Sequence, residues 1–380
     1  MRELLLKNGQ IYTETQVIDG DILMADGKIS AIGDLHRDCE TVDLNGKKVV
    51  PGFIDIHTHG GDHIDVNAAA AQDLHTLGRF FARNGTTAWL CSVLTDTREQ
   101  TLWCIGQAKE AMAAPIDGAQ LLGIHLEGPF LSKEYKGAMP ECLLQKGSIE
   151  LFRAYQKAAG GAIRYMTVAP ETEGAIDLIR EISNEIVIGL GHSNADYETA
   201  IAAIDAGAKN ITHTFNAMRL FHQHEPAIMG AALERDVYCE AICDGRHLHP
   251  GTVRMLLSCK GYDRVIAATD SVQAAGLPDG HYRLGVNDIV VEDGDAKLAD
   301  TGVRAGSTLT TGQALRNLVK FTGEPLDRIL PLLTRNPATL LGMYDRKGSL
   351  AEGKDADIVI LDDELEVDST YVSGIRVFTR

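Results

Sequence analysis

The chain has 380 residues, 44% of them hydrophobic and 23% charged, an ordinary globular balance with length for one large domain plus a smaller one. A formal net charge of −17 excludes nucleic acid and anionic membrane as partners, since both need a basic face; a small anionic substrate stays compatible, because a bound metal dominates its local field. Seven cysteines (Cys39, Cys91, Cys104, Cys142, Cys239, Cys243 and Cys259) include no CxxC pair and point to reduced thiols in cytoplasm. The run Leu4-Leu5-Leu6 is too short for a signal peptide, and no stretch approaches the roughly 18 apolar residues of a membrane span.

In chain order, residues 1–50 carry short strand-like segments punctuated by Asp26-Gly27 and Asn45-Gly46, dipeptides that suit tight hairpins because Gly tolerates positive φ. Similar material returns at 356–361 and 371–377, so the two ends are expected to pair into one small β-sandwich, 1–50 with 343–380. Between them, strands are expected at 54–56, 86–94, 121–126, 165–169, 185–190, 210–212, 238–242 and 264–269. Helical patterns fall at 70–84, 100–114, 150–159, 174–181, 197–206 and 250–259. This alternation predicts an α/β fold, a (β/α)8 TIM barrel over residues 51–342. A hairpin turning at Asp293-Gly294 is expected within 281–305.

Six residues of metal-binding type close strands of this barrel: His57, His59, Glu127, His192, His213 and Asp270. His57 and His59 are two apart, so in an extended chain both imidazoles face one way, with Asp55 beneath them. Glu127 in His125-Leu126-Glu127 faces inward by the same alternation, and its two oxygens suit a bridge between two cations; the plainer alternative is a buried salt bridge. His125 reads as a core residue or a support for the ligands. One strand ending in such a residue means little, whereas five doing so imply one or two divalent ions on the carboxyl rim. A set of His, Glu and Asp without Cys suits zinc first, with iron, manganese and cobalt as alternatives, and implies hydrolysis by activated water. Asp270, at the last strand, is placed to take that water's proton and pass it to a leaving group.

These residues resemble the amidohydrolase superfamily, and within it the N-acetylglucosamine-6-phosphate deacetylases and their N-acetylgalactosamine-6-phosphate relatives. The likeness runs from Pro51-Gly52-Phe53-Ile54-Asp55-Ile56-His57-Thr58-His59-Gly60 through Leu126-Glu127-Gly128-Pro129-Phe130, Gly191-His192-Ser193, Thr212-His213-Thr214-Phe215-Asn216-Ala217-Met218 and Thr269-Asp270-Ser271 to Gly348-Ser349-Leu350. It implies one metal site of Glu127, His192 and His213, and a second of His57 and His59 that shares Glu127 and is closed by Asp270. It implies Asn216 and Ala217 as holders of a sugar phosphate, His247 as the polariser of an acyl carbonyl, and a homodimer acting on a small amino-sugar phosphate.

Three positions depart from the family pattern. Met139 in Lys136-Gly137-Ala138-Met139 replaces a histidine beside the substrate, and His224 before Glu225-Pro226 replaces an arginine that reaches a neighbouring subunit's phosphate. Arg304-Ala305-Gly306-Ser307 stands where Leu-Ala-Gly-Ser flanks the acyl group. By resemblance, Ala138, Met139, His224, Arg304, Ala305 and Gly306 line the substrate; Arg304 is expected to supply the positive charge lost at His224, or to meet an acidic acyl group.

Overall fold

In the computed structural model, which describes residues 3–380, eight parallel strands pair in chain order into one sheet. They are β1 Phe53–Asp55, β2 Thr86–Leu94, β3 Gln120–Glu127, β4 Ile163–Val168, β5 Val187–Leu190, β6 Asn210–Ile211, β7 Tyr238–Ala241 and β8 Val265–Ala267. Strict neighbour-to-neighbour order with a helix in each crossover is the connectivity that closes a barrel. The β8–β1 seam closes just above the strands. There Thr58 bridges Ser271, the His59 N–H donates to Ser271 O at 2.7 Å, and the Asp270 N–H donates to His57 O at 2.9 Å. The expected (β/α)8 barrel with a small end domain is therefore present.

The helices of eight or more residues are α1 Ala71–Arg83, α2 Arg98–Met112, α3 Ile149–Ala159, α4 Ala175–Ile182, α5 Tyr197–Asp205, α6 Ala227–Glu234, α7 Pro250–Lys260 and α8 Thr311–Thr322; two short ones, Leu326–Ile329 and Arg335–Leu340, follow. Six match the helical patterns to within a few residues. The other two, α6 and α8, are additions to them. In α6, AIMGAALE is apolar nearly all round, so it carries no amphipathic stripe to detect. The expected hairpin after β8 is a three-stranded antiparallel sheet, Gly280–Leu284, Asn287–Glu292 and Asp295–Leu298; its second turn is at Asp293-Gly294, both with positive φ. No helix among the described residues is long and apolar enough to cross a membrane.

The barrel interior is layered. Its lower part is apolar: Ile54, Ala88, Leu90, Leu122, Val187 and Ile266 pack with Leu340 and Met343 from the segment that plugs the bottom. Above lies a buried polar layer of Asp55, Ser92, His125, Thr167, Asn210, Thr212, Glu240 and Thr269. Barrel interiors are usually filled by Val, Ile and Leu. A polar layer here needs partners, and most come from within it: His125 bridges Ser92 Oγ (2.9 Å) and Thr167 Oγ1 (2.8 Å) and stacks on Tyr165, while Asn210 Oδ1 is left without one.

The two chain ends meet as expected, through antiparallel pairing of Lys48–Pro51 with Ile358–Leu361. Met1 and Arg2, the start of that segment, lie outside the described residues. The end domain is one eight-stranded sheet that curls over its own core of Leu6, Ile11, Ile22, Met24, Ile358 and Ile360. It closes where the Ala356 N–H donates to Gly27 O and the Ile29 N–H to Lys354 O, each at 2.9 Å. Its junction with the barrel carries a buried cation: Lys347 is 1% exposed, with Nζ 2.6 Å from Asp357 and 3.1 Å from Asp355. Lys347→Met leaves Asp357 buried without its counter-charge, so about 3 kcal/mol of stability is expected to go. A urea-unfolding midpoint equal to the parent's would contradict this.

Candidate metal centre

All six predicted ligands converge above the polar layer. His57, His59 and Asp270 form one group of donors and Glu127, His192 and His213 a second, every residue buried. In the first, His57 Nε2 lies 3.1 Å from His59 Nε2, and Asp270 Oδ1 is 3.6 Å and 3.3 Å from those nitrogens. In the second, His192 Nε2 is 3.0 Å from His213 Nε2, and Glu127 Oε1 is 3.1 Å and 3.3 Å from the two. Glu127 joins the groups, since Oε2 is 3.2 Å from His59 Nε2 while Oε1, which faces the second group, also lies 3.4 Å from His57 Nε2.

Three of the four imidazoles are presented in one tautomer. His57 Nδ1 donates to Glu240 Oε2 (2.9 Å), His59 Nδ1 to the Ser92 carbonyl (2.9 Å) and His192 Nδ1 to the Tyr135 carbonyl (2.8 Å). Each acceptor fixes the proton on Nδ1 and leaves the Nε2 lone pair turned inward. Two inward lone pairs about 3 Å apart repel unless positive charge sits between them. Ligands about 2.0–2.1 Å from a tetrahedral ion stand about 3.3 Å apart, which is the spacing in both groups. The donor set therefore fits one or two divalent ions, with nitrogen and oxygen donors and no thiolate.

Electrostatics agree. Burial pulls the His59 imidazole down, yet hydrogen bonds to Asp270 and Glu127 outweigh it and raise it to about 9. His57 rises well above its ordinary value against burial, through the charges of Asp270, Glu127 and Glu240. Burial raises Glu127, but the His57 charge and the hydrogen bonds of His192 and His213 hold it well below the carboxylate range. The pocket stabilises positive charge, whether as protons on imidazoles or as a divalent cation in their place.

Backbone conformation contributes. His192, His213 and Asp270 have φ of 49°, 30° and 48°, a left-handed region sparsely used by residues with a Cβ. Each is the turn residue that swings the chain off its strand, and each is held there by hydrogen bonds: the His213 N–H to Glu240 Oε2 (3.0 Å), the Ser132 N–H to His192 O (2.9 Å) and the Ser307 N–H to Asp270 O (2.7 Å). Such strain persists where surroundings over-determine it.

A cavity of about 330 Å3 opens above the donors. Of the predicted substrate residues, Ala138, Met139, Asn216, Ala217, His247, Arg304, Ala305 and Gly306 line it. His224 does not: it is exposed on the loop after β6, beside His222. Met139 is 3% exposed and packs with Leu94, Leu131 and Leu284, giving this wall an apolar surface. The guanidinium of Arg304 is already engaged, with Nε and Nη2 on the two oxygens of Asp295 at 2.7 Å and 2.9 Å and Nη1 on the Arg246 carbonyl. His247 Nδ1 meets Asp244 Oδ2 at 2.6 Å, leaving Nε2 as its remaining nitrogen.

Three residues of the site were not among the sequence candidates. Asp244, three residues before His247, orients it, and Asp295 neutralises Arg304 from a different strand. Glu240, fully buried in β7, holds His57. An acidic residue inside the otherwise apolar strand Tyr238–Ala241 is the signal that marks Glu240.

A model described as Amidohydrolase family matches residues 48–377. The chain is 37% identical to an N-acetylglucosamine-6-phosphate deacetylase of Bacillus subtilis (strain 168), covering 99% of this chain and 97% of that one. It is 33% identical to an N-acetylgalactosamine-6-phosphate deacetylase of Escherichia coli O157:H7, over 97% and 98% of the two. Among solved structures, an Asp-to-Ala mutant of N-acetyl-D-glucosamine-6-phosphate deacetylase from Mycobacterium smegmatis, in complex with N-acetyl-D-glucosamine-6-phosphate, superposes with a TM-score of 0.93 at 33% identity, covering all of both chains.

Proposed function

This chain belongs to the amidohydrolase family, and from that membership we propose that it hydrolyses the N-acetyl amide of an amino-sugar 6-phosphate, taking N-acetylglucosamine-6-phosphate to glucosamine-6-phosphate and acetate. The observation that carries this reading is Glu127 standing between His57 and His59 on one side and His192 and His213 on the other, at the floor of a cavity that Asp270 and His247 also line. His57, His59 and Asp270 would hold one divalent ion and Glu127, His192 and His213 another, with zinc favoured over iron, manganese or cobalt by the nitrogen-rich set. Such an ion supplies Lewis acidity and lowers the pKa of water towards neutrality.

The chain's own groups do the rest. Asp270 takes the proton of the attacking water and later delivers it to the departing amine. His247, oriented by Asp244, is aimed at the acyl carbonyl and steadies its oxygen as charge develops. Asn216 and Ala217, beyond β6, receive the sugar phosphate, while Met139, Ala305 and Gly306 close on the substrate. In this reading residues 51–342 form the hydrolase domain and 1–50 with 343–380 the supporting sheet. The protein acts in the cytoplasm as a homodimer, with His224 on its rim facing the neighbouring subunit's phosphate.

A second reading, a deacylase of a different N-acyl amine, draws on one observation. Arg304 is the only Lys or Arg among the described residues lining the cavity, and Asp295 occupies its fork. Acetate release is the discriminating measurement, with N-acetylglucosamine-6-phosphate, N-acetylgalactosamine-6-phosphate and the unphosphorylated sugars compared under metal-replete conditions. The expected order puts N-acetylglucosamine-6-phosphate first, at least tenfold above its unphosphorylated form in kcat/KM, a factor worth about 1.4 kcal/mol. Equal or better turnover of the unphosphorylated amide would replace the first reading with the second.

A further inference from the structure

The two donor triads touch each other above through Glu127, and beneath them lies a second carboxylate that the hydrolytic chemistry does not use. Glu240 projects from β7 into the barrel and is fully buried. Its Oε2 accepts from His57 Nδ1 at 2.9 Å and from the backbone N–H of His213 at 3.0 Å. Its Oε1 accepts from Tyr165 Oη and Asn210 Nδ2, both at 2.7 Å. The support continues outward, since Tyr165 Oη also pairs with Thr212 Oγ1 at 2.7 Å. Room for that hydroxyl exists because position 189 is glycine: a Cβ there would lie 2.3 Å from Tyr165 Oη.

We propose that Glu240 is a positioning residue that cross-braces both metal positions, fixing His57 of one and His213 of the other through a single carboxylate oxygen. The two contacts differ in kind. For His57, the carboxylate sets the tautomer and ring plane and increases the basicity of Nε2. For His213, it holds the backbone in the left-handed turn at φ 30° that lifts the imidazole to its place. The Nδ1 of that imidazole is buried without a hydrogen-bond partner, so no acceptor on that nitrogen sets the ring from behind. His213 is thus oriented through its main chain, unlike His57, His59 and His192, which are oriented through Nδ1. Removing the charge at position 240 therefore acts on both triads, although it touches no atom that would meet a metal.

The inference rests on the reading of the triads as metal positions, and the test separates the two. The full-length chain is stripped with a chelator and titrated with Zn2+ against a competing indicator, and with Co2+ followed by its visible spectrum. Parent protein taking up two equivalents is the premise; uptake of none would sink the metal reading itself and this proposal with it. With the premise met, Glu240→Gln, close to isosteric, is expected to bind both equivalents ten- to a hundred-fold more weakly and to shift the cobalt spectrum. Tyr165→Phe, one contact further out, is expected to move both in the same direction by less. Leu350→Ala, in the end-sheet core, lowers stability without moving either affinity. Parent-like affinity in Glu240→Gln, or weakening confined to one equivalent, overturns the cross-brace. Should Glu240→Gln not fold, unchanged affinities in Tyr165→Phe overturn it instead.

Discussion

Asp270→Asn is expected to lower kcat/KM for the N-acetyl sugar phosphate by about 10^3- to 10^4-fold, equivalent to about 4–5.5 kcal/mol of transition-state stabilisation. The amide keeps the shape of the side chain and an oxygen donor, but it neither accepts the water's proton nor returns one to the amine. His57, His59 and the Oε2 of Glu127 remain around the same position, so metal content is expected to hold. Elemental analysis alongside steady-state kinetics separates loss of proton transfer from loss of metal. A variant with parent-like turnover would remove Asp270 from the chemistry.

Chelation is the second large effect. Stripping divalent ions is expected to bring turnover to the uncatalysed background and to lower thermal stability, because ions that bind only the folded chain stabilise it by mass action, about 2.7 kcal/mol at a free concentration one hundred times Kd. The four imidazoles and two carboxylates then face one another without a divalent counter-charge, and burial makes that costly. Adding back zinc, manganese, iron or cobalt one at a time is expected to restore activity, zinc foremost. Undiminished turnover in a chain shown by elemental analysis to be metal-free would overturn a metal-dependent mechanism.

The architecture and the donor residues were legible in the sequence because both depend on local regularities. Two-residue alternation put His57 with His59, and Glu127 with His125, on the inner face, and the strand ends marked where side chains emerge at the rim. What escaped depends on partners far away in the chain. Nothing next to Arg304 announces that Asp295 closes on its guanidinium, which turns a candidate anion receptor into half of an ion pair. The α6 helix has no polar face to set its period, so neighbouring elements rather than its own pattern define it. Glu240 shows as an oddity within β7, but its four hydrogen-bond donors come from the segment after β1, from β4, from β6 and from the turn after β6.

The seam between the last and first barrel strands has a consequence for biosynthesis. Glu127, His192 and His213 all come from the chain up to the turn after β6, so that donor set is chemically complete while the remainder is still being translated. His57 and His59 are among the first barrel residues to emerge, yet they wait for Asp270, which arrives only with β8. The amino-terminal strand Lys48–Pro51 waits longer still, for Ile358–Leu361. Vectorial synthesis thus separates the two donor groups in time: Glu127, His192 and His213 are all made before Glu240, whose carboxylate accepts the His213 N–H, and Asp270 joins His57 and His59 last.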